Sequence, residues 1–265
     1  MRPEVALQTL RDRRAMTGAL AGYLVVLVAV MAIFWPAVRD SAELQSFMRD
    51  LPAGVKAVIG DADYATAAGF LSGELFSFMV PLLMLVAAVG LGARAIAGEE
   101  EAGTMDLLLS LPVTRRRVLV EKAAAAAADT VLLGAAMFLA LLMAGAVAGM
   151  DLDTGNVAAT SLASVLIAWP FGALALVVGC ATGRRSSAIA ATVAVAVIAY
   201  LVHALAPLVD GLNGLDFLSP FSWYAGDEVL TQGITVAHVI APIAVAVALC
   251  AAAAVVLDRR DLTAR

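Results

Sequence analysis

Six apolar stretches, each about twenty residues long, limit what this sequence can fold into more than any other feature. A helix of about twenty apolar residues crosses the ~30 Å hydrocarbon core of a bilayer. Of the 265 residues, 62% are hydrophobic and 15% are charged, whereas soluble domains are about half apolar and about a quarter charged. We therefore predict an all-α integral membrane protein in which residues 1–265 form a single transmembrane domain. The six predicted spans are residues 16–35, 73–93, 123–149, 157–181, 188–208 and 236–257.

Three segments outside the spans have patterns of their own. Residues 1–15 alternate apolar and charged side chains, which predicts a short amphipathic helix that can lie in the headgroup plane. Trp35 and Pro36 are expected to end the first span. The acidic connection 37–72 predicts one short helix in its first half, and residues 209–235 are expected to be irregular.

The distribution of basic residues predicts the orientation. Of the 17 Lys and Arg residues, 14 lie at the two termini and in the connections between spans 2 and 3 and between spans 4 and 5. Basic residues concentrate in cytoplasmic connections. We therefore expect both termini and residues 94–122 in the cytoplasm, in a multi-pass protein of the inner (plasma) membrane. No cleavable signal peptide is expected, because the basic N-terminus leads into a full-length span.

The sequence lacks the common catalytic motifs. No GxxxxGK[ST] phosphate loop surrounds either lysine, the two histidines cannot form HExxH, and GxSxG is absent. Cys180 and Cys250 lie in separate apolar stretches and are expected to be buried, small hydrophobic residues. We therefore predict a protein without catalytic residues, without a metal site and without a cofactor of its own.

The hydrophilic interval 94–122 is the most informative part of the chain. Thr104 is a candidate N-cap, and Asp106 would sit at the positive end of the helix that follows. The apolar side of that short helix, which Pro112 ends, consists of Met105, Leu108, Leu109 and Leu111. Physical reasoning leaves two alternatives open. The helix either docks into a groove on a soluble partner or lies on the membrane, held by three consecutive arginines.

This interval resembles the signature of ABC-2 type transporter permeases. Residues 95–115 read AIAGEEEAGTMDLLLSLPVTR, and the family pattern is roughly I-A-x-E-x-E-x-G-T-L-E-L-L-L-S-x-P-V-S-R, followed by a lysine that Lys122 matches. The departures are Met105, Asp106 and Thr114. The resemblance extends to the whole chain through the basic start, the Trp-Pro pair of span 1, the long outer loop, the six spans and the terminal Arg-Arg-Asp-Leu.

The resemblance implies a mechanical role for the interval. In that family two permease subunits pair, as a homodimer or a heterodimer, and two cytosolic ATPase subunits bind ATP and magnesium. The connection between spans 2 and 3 carries a coupling helix that rides in a cleft of the ATPase, and most members are exporters. The other expected partner is membrane lipid, and none is a nucleic acid. The coupling residues implied here are Glu99, Glu100, Glu101, Gly103, Thr104, Met105, Asp106, Leu108, Leu109, Pro112 and Arg115.

Polar residues inside the spans suggest rival functions. A carboxylate in the bilayer costs about 2.5–3.5 kcal/mol, so we expect Asp129 to snorkel to the interface, with a structural hydrogen bond and substrate contact as alternatives. His203 is expected to be a structural histidine, with a proton-sensitive pathway residue as the alternative. Trp169 and Pro170 predict a kink. A proton-coupled secondary transporter and a membrane assembly protein without a transport path are the alternative classes.

Overall fold

The computed structural model describes residues 4–52, 55, 63–104, 114–206, 216–224 and 226–260. Helices account for all the regular secondary structure within those ranges, and six of them are long and apolar enough to cross a membrane. The all-α membrane fold with six spans is therefore confirmed. The spans are Arg13–Arg39 (span 1), Ala67–Ala95 (span 2), Arg115–Ala148 (span 3), Thr154–Thr182 (span 4), Arg185–Leu205 (span 5) and Val236–Arg259 (span 6).

The predicted boundaries of span 1 were wrong at both ends. One continuous helix runs from Glu4 to Arg39, so the amphipathic N-terminal segment is the first part of this helix and not a separate element. The helix also continues through Trp35 and Pro36. Pro36 lies in the last turn, so the backbone hydrogen bond that it cannot donate is one of the last in the helix.

Span 3 begins eight residues before its predicted start, at Arg115. The Thr114 hydroxyl accepts a hydrogen bond from the backbone N–H of Arg117 (3.3 Å), so Thr114 caps the helix. Three consecutive arginines, Arg115, Arg116 and Arg117 (the arginine triplet), therefore form the first turn of this span. Hydropathy missed this turn because arginine is polar, although it is a good helix former.

Short helices occupy two of the connections. Helix Ala42–Arg49 confirms the element expected in the first half of the outer loop. The expectation that residues 209–235 are irregular was wrong for helices Pro220–Tyr224 and Gly226–Gln232. Ser219 starts the first of them, because its hydroxyl accepts a hydrogen bond from the N–H of Phe221 at 3.2 Å.

Span 4 is the central helix and packs against spans 2, 3, 5 and 6. Its contact with span 2 is close because both helices present glycine. A Cβ placed on Gly172 would lie 3.2 Å from the carbonyl oxygen of Ala88, and one on Gly92 would collide with the carbonyl of Gly172. Small residues spaced four apart allow helix backbones to approach closely in membranes.

Four prolines lie inside the spans: Pro36, Pro81, Pro170 and Pro242. Pro170 falls within the continuous helix of span 4, and the kink expected there stays a prediction. The neighbouring Trp169 indole donates to the hydroxyl of Thr130 in span 3 (3.0 Å). Span 2 is π-helical over Ser72–Met79 and α-helical over Val80–Ala95. The change falls next to Pro81, which lacks the N–H that continuous helical hydrogen bonding requires.

Candidate coupling site

The chain leaves span 2 through three consecutive glutamates. After Ala95 the backbone bends at Ile96 and forms the short helix Ala97–Glu101. Successive side chains on a helix point about 100° apart. Three neighbouring carboxylates on this helix, Glu99, Glu100 and Glu101 (the glutamate triplet), therefore reach three different parts of the bundle.

Glu99 binds span 3. It forms an ion pair with the ammonium of Lys122, a side chain that is only 3% exposed. The Thr104 hydroxyl also donates to the Glu99 carboxylate. Burial alone raises the pKa of Glu99, but the hydrogen bonds from Lys122 and Thr104, together with the positive charges of Lys122 and Arg13, outweigh burial and lower it. Glu99 is thus an ionised partner for a buried cation.

Glu100 binds the end of span 6. Its carboxylate pairs with the Arg260 guanidinium at 3.0 Å, and the same guanidinium donates to the backbone carbonyl of Cys180 at 2.9 Å. Cys180 is in the last turn of span 4, where carbonyls have no partner within the helix and the helix dipole favours a cation. One arginine therefore joins the exit of span 2 to the ends of spans 4 and 6.

Gly183 is necessary to this arrangement. It ends span 4 in the left-handed conformation (φ 63°), and its N–H donates to the carbonyl of Gly179 at 2.9 Å. A Cβ at Gly183 would collide with the Glu100 carboxylate and the Arg260 guanidinium. Any other residue would thus be strained in its backbone and would displace the ion pair.

Glu101 binds the beginning of span 5. Its carboxylate accepts a hydrogen bond from the backbone N–H of Arg185, the first residue of that span, at 2.8 Å. Helix N-termini present unpaired N–H groups and a partial positive charge. Arg184, which precedes the helix, provides no side-chain cap. Glu101 therefore caps span 5 from outside the helix.

The arginine triplet fastens the start of span 3 to span 6. The Arg115 guanidinium donates to the carbonyls of Leu257 (3.5 Å) and Arg260 (2.9 Å), at the C-terminal end of span 6. Arg116 pairs with Asp258 at 2.6 Å, although its side chain is 69% exposed and such pairs contribute only about 0–1 kcal/mol. Arg115 and Arg116 thus contact the end of span 6, and both alternatives for the short helix before them, docking on a partner or lying on the membrane, stay predictions.

The described coupling residues therefore meet at one end of the bundle. Gly103, at φ 68°, makes a left-handed turn in which a Cβ would meet no neighbour. Five predicted coupling residues lie outside the described ranges: Met105, Asp106, Leu108, Leu109 and Pro112. The short helix expected there stays a prediction. Residues 105–113 are hereafter called the coupling segment, and the contacts of the glutamate and arginine triplets on either side are called the coupling site.

Sequence reasoning missed the roles of Arg185, Asp258 and Arg260. The distribution of basic residues placed Arg185 and Arg260 on the same side of the membrane as the glutamate triplet. Opposite charges on one side of the membrane were the signal that could have predicted ion pairs between them. The precise partners were not predictable, because they depend on how the ends of spans 4, 5 and 6 pack.

The structure corrects the expectation that Asp129 snorkels to the interface. Its side chain is 2% exposed, and it accepts a hydrogen bond from the Thr17 hydroxyl of span 1 at 3.0 Å. The expectation of snorkelling was wrong, since span 1 packs over this part of span 3 and supplies a donor inside the bundle. The positive charge of Arg13, one turn before Thr17, acts on the same carboxylate. The hydrogen bond from Thr17 agrees with the structural alternative.

His203 lies in the last turn of span 5, and its ring stacks on Phe221 with 6.5 Å between the centroids. This packing agrees with a structural histidine. Its role and that of Asp129 in transport stay predictions. The described residues contain no group of three or more His, Cys, Asp or Glu that could hold a metal ion.

Six spans and a loop whose two ends are fastened to them define a multi-pass, α-helical membrane protein. The family profile described as "ABC-2 family transporter protein" matches residues 13–262, so the chain belongs to that family. The chain is also 35% identical over 121 residues to the "Probable ABC transporter permease protein NosY" of Stutzerimonas stutzeri. That alignment covers 43% of this chain and 42% of the relative.

Proposed function

We propose that this chain is the permease subunit of an ABC-2 type exporter, driven by separate cytosolic ATPase subunits. The expected complex contains two ATPase copies and a second permease subunit, identical or related to this one. ATP and magnesium bind to the ATPase, because this sequence contains no phosphate loop. Membership of the ABC-2 transporter family supports this separation of the permease from the ATPase subunit.

The observation that carries the proposal is the anchoring of the coupling segment at both ends. On its N-terminal side, the glutamate triplet contacts Lys122, Arg260 and the N–H of Arg185. On its C-terminal side, Arg115 contacts the end of span 6. A partner that displaces the segment therefore pulls on spans 2 to 6 together. This geometry suits a part that transmits force and requires no catalytic group.

The proposed topology places this end of the bundle in the cytoplasm of an inner-membrane protein, with both termini on the same side. Span 1 supports it, because the charge of Arg13 near its start acts on Glu99. Starts of odd-numbered spans and ends of even-numbered spans thus meet at one face, as six crossings require. The excess of basic residues on this face favours the cytoplasm. The part of the span surface that the second permease subunit leaves uncovered contacts membrane lipid, and no nucleic-acid partner is proposed.

The test is the ATPase activity of the purified complex containing Gly103→Pro. Proline cannot adopt φ 68°, so the turn into the coupling segment must change. We expect membrane insertion to remain normal and stimulation of the ATPase by the permease to disappear. Gly103→Ala is the matched control, since a Cβ there meets no neighbour and costs only about 1–2 kcal/mol of backbone strain. Normal stimulation by Gly103→Pro would overturn the proposal.

The same preparation separates the alternative classes. A proton-coupled transporter would move substrate in vesicles without the ATPase and would need a pH gradient. An assembly protein would bind its partner without changing the rate of ATP hydrolysis. The proposed exporter requires both the partner and ATP.

A further inference from the structure

Spans 2 and 5 enclose a cleft of about 520 Å³ that lies beside the coupling site and shares Arg185 with it. Its walls are apolar side chains at helical spacing, including Leu82, Val86, Val89, Ile189, Val193 and Val197. Val86 is 60% exposed and Val197 is 52% exposed. The cleft is therefore open along its length in the single chain.

One end of the cleft is charged. Arg94 and Arg185 are the charged residues among those that line it, and both lie at the end nearest the coupling site. Arg94 donates to the sulfur of Met16 (3.6 Å), a weak acceptor. The Nε of Arg185 is buried and has no hydrogen-bond partner within the described part of the chain. Arginine stays charged in proteins, so these donors favour an anion.

The cleft is longer than one leaflet is deep, since its wall on span 5 runs from Arg185 to Leu201. Twelve residues separate Arg185 from Val197, which is about 18 Å of helix at ~1.5 Å per residue. Half of a ~30 Å hydrocarbon core is about 15 Å. A ligand with its charged group on the arginines can therefore lay an apolar chain along Ile189, Val193 and Val197 to the middle of the bilayer.

We propose that this cleft binds an acidic phospholipid from the leaflet next to the coupling site. Its phosphate contacts Arg94 and Arg185, and one acyl chain lies between spans 2 and 5. Guanidinium groups bind phosphate through paired hydrogen bonds, and basic pockets between membrane helices bind acidic headgroups. A zwitterionic lipid fits less well, because its own cation offsets the phosphate. Only the assignment of this leaflet to the cytoplasmic side rests on the proposed function.

Native mass spectrometry of the purified chain, without any ATPase, tests the proposal. Titration with dioleoylphosphatidylglycerol and dioleoylphosphatidylcholine should give about tenfold tighter binding of the first lipid. In Arg94→Gln/Arg185→Gln the two lipids should bind equally. Arg184→Gln is the matched control, because Arg184 is exposed and does not line the cleft. It should keep the preference.

Two further measurements define the ligand. Val193→Trp should weaken binding of both lipids by filling the cleft, and millimolar inorganic phosphate should not compete. Equal binding of the two lipids to the wild type overturns the proposal without any variant. The proposal is also overturned if Arg184→Gln loses the preference for the acidic lipid as completely as the double variant does. Competition by phosphate would indicate a free-anion site instead. If the double variant changes only the oligomeric state, the cleft is a subunit interface. None of these outcomes depends on ATPase coupling.

Discussion

Glu100 and Arg260, 160 positions apart in the sequence, form an ion pair with 3.0 Å between Oε2 and Nη2. The arginine also donates to the last turn of span 4 through the Cys180 carbonyl. The pair thus holds the exit of span 2 against the ends of two other spans. If the coupling segment acts as proposed, breaking this ion pair should weaken the mechanical connection between the segment and those spans.

Replacement of Arg260 tests that route. Arg260→Lys keeps the charge but loses the guanidinium fork that contacts Glu100 and Cys180 at once. We expect ATPase stimulation in the reconstituted complex to fall by about tenfold, the effect of roughly 1.4 kcal/mol. Arg259→Lys is the matched control. Unchanged stimulation by Arg260→Lys would show that the pair carries no coupling.

Gly183 and Gly149 give a matched comparison. Both end a span with φ 63°, but a Cβ meets the Glu100–Arg260 pair at Gly183 and meets no neighbour within 4 Å at Gly149. Alanine in the left-handed conformation costs about 1–2 kcal/mol, so both variants should lose that much stability. Gly183→Ala alone should also lower ATPase stimulation. Equal ATPase stimulation by the two variants would contradict the close packing at Gly183.

Loss of the Glu99 charge should destabilise the fold. Glu99→Gln leaves the buried Lys122 ammonium without its anion. Breaking a buried ion pair lowers the free energy of unfolding by about 3–5 kcal/mol, and we expect about 3 kcal/mol here because Glu99 is 28% exposed. Glu99→Gln/Lys122→Met should recover much of this stability. Thermal unfolding of the purified variants measures both changes. A double variant less stable than Glu99→Gln would contradict the pairing.

The same pair gives a pH dependence. The pKa of Glu99 is lower in the fold than its ordinary value of 4.5, so the folded state favours the ionised form. Its stabilisation is complete above the unfolded pKa and is lost as the pH falls through the lowered folded pKa. The contribution of Glu99 to the melting temperature should therefore be present in full and independent of pH between pH 6 and 8. Below pH ~4.5, the difference between wild type and Glu99→Gln should shrink.

Asp129 and Thr17 form a buried hydrogen bond that joins span 3 to span 1. Asp129→Asn keeps an acceptor for the Thr17 hydroxyl, and we expect transport and assembly to persist. Thr17→Val removes the donor to the Asp129 carboxylate and should lower the free energy of unfolding by about 1–3 kcal/mol. Thermal unfolding and vesicle transport assays distinguish these effects. Loss of transport in a well-assembled Asp129→Asn protein would indicate a role in the pathway.

The sequence predicted the parts of the fold that depend on one helix at a time. Each span contains an apolar stretch long enough to cross a bilayer, and basic residues recur at alternate connections, so the number of spans followed directly. Errors arose where a helix extends beyond its apolar stretch. Helix Glu4–Arg39 and the start of span 3 at Arg115 contain good helix formers, and Thr114 also caps span 3, neither of which hydropathy registers.

The site was less predictable than the fold, because its contacts are between distant residues. The motif around Glu99 and Gly103 identified the region. The partners Lys122, Arg185 and Arg260 depend on the packing of spans 3, 5 and 6, for which a single sequence carries no local signal. Snorkelling was expected for Asp129 from its depth alone, and only the packing of span 1 reveals the Thr17 donor.

Site-specific photo-crosslinking of the assembled transporter tests most directly the claim that the coupling segment contacts the ATPase. A photoreactive phenylalanine replaces Leu108 in the segment or, as the control, Val147, which is 84% exposed near the far end of span 3. We predict an adduct with the ATPase subunit from position 108 and none from position 147. No adduct at position 108 in a complex that hydrolyses ATP at the stimulated rate would contradict the account.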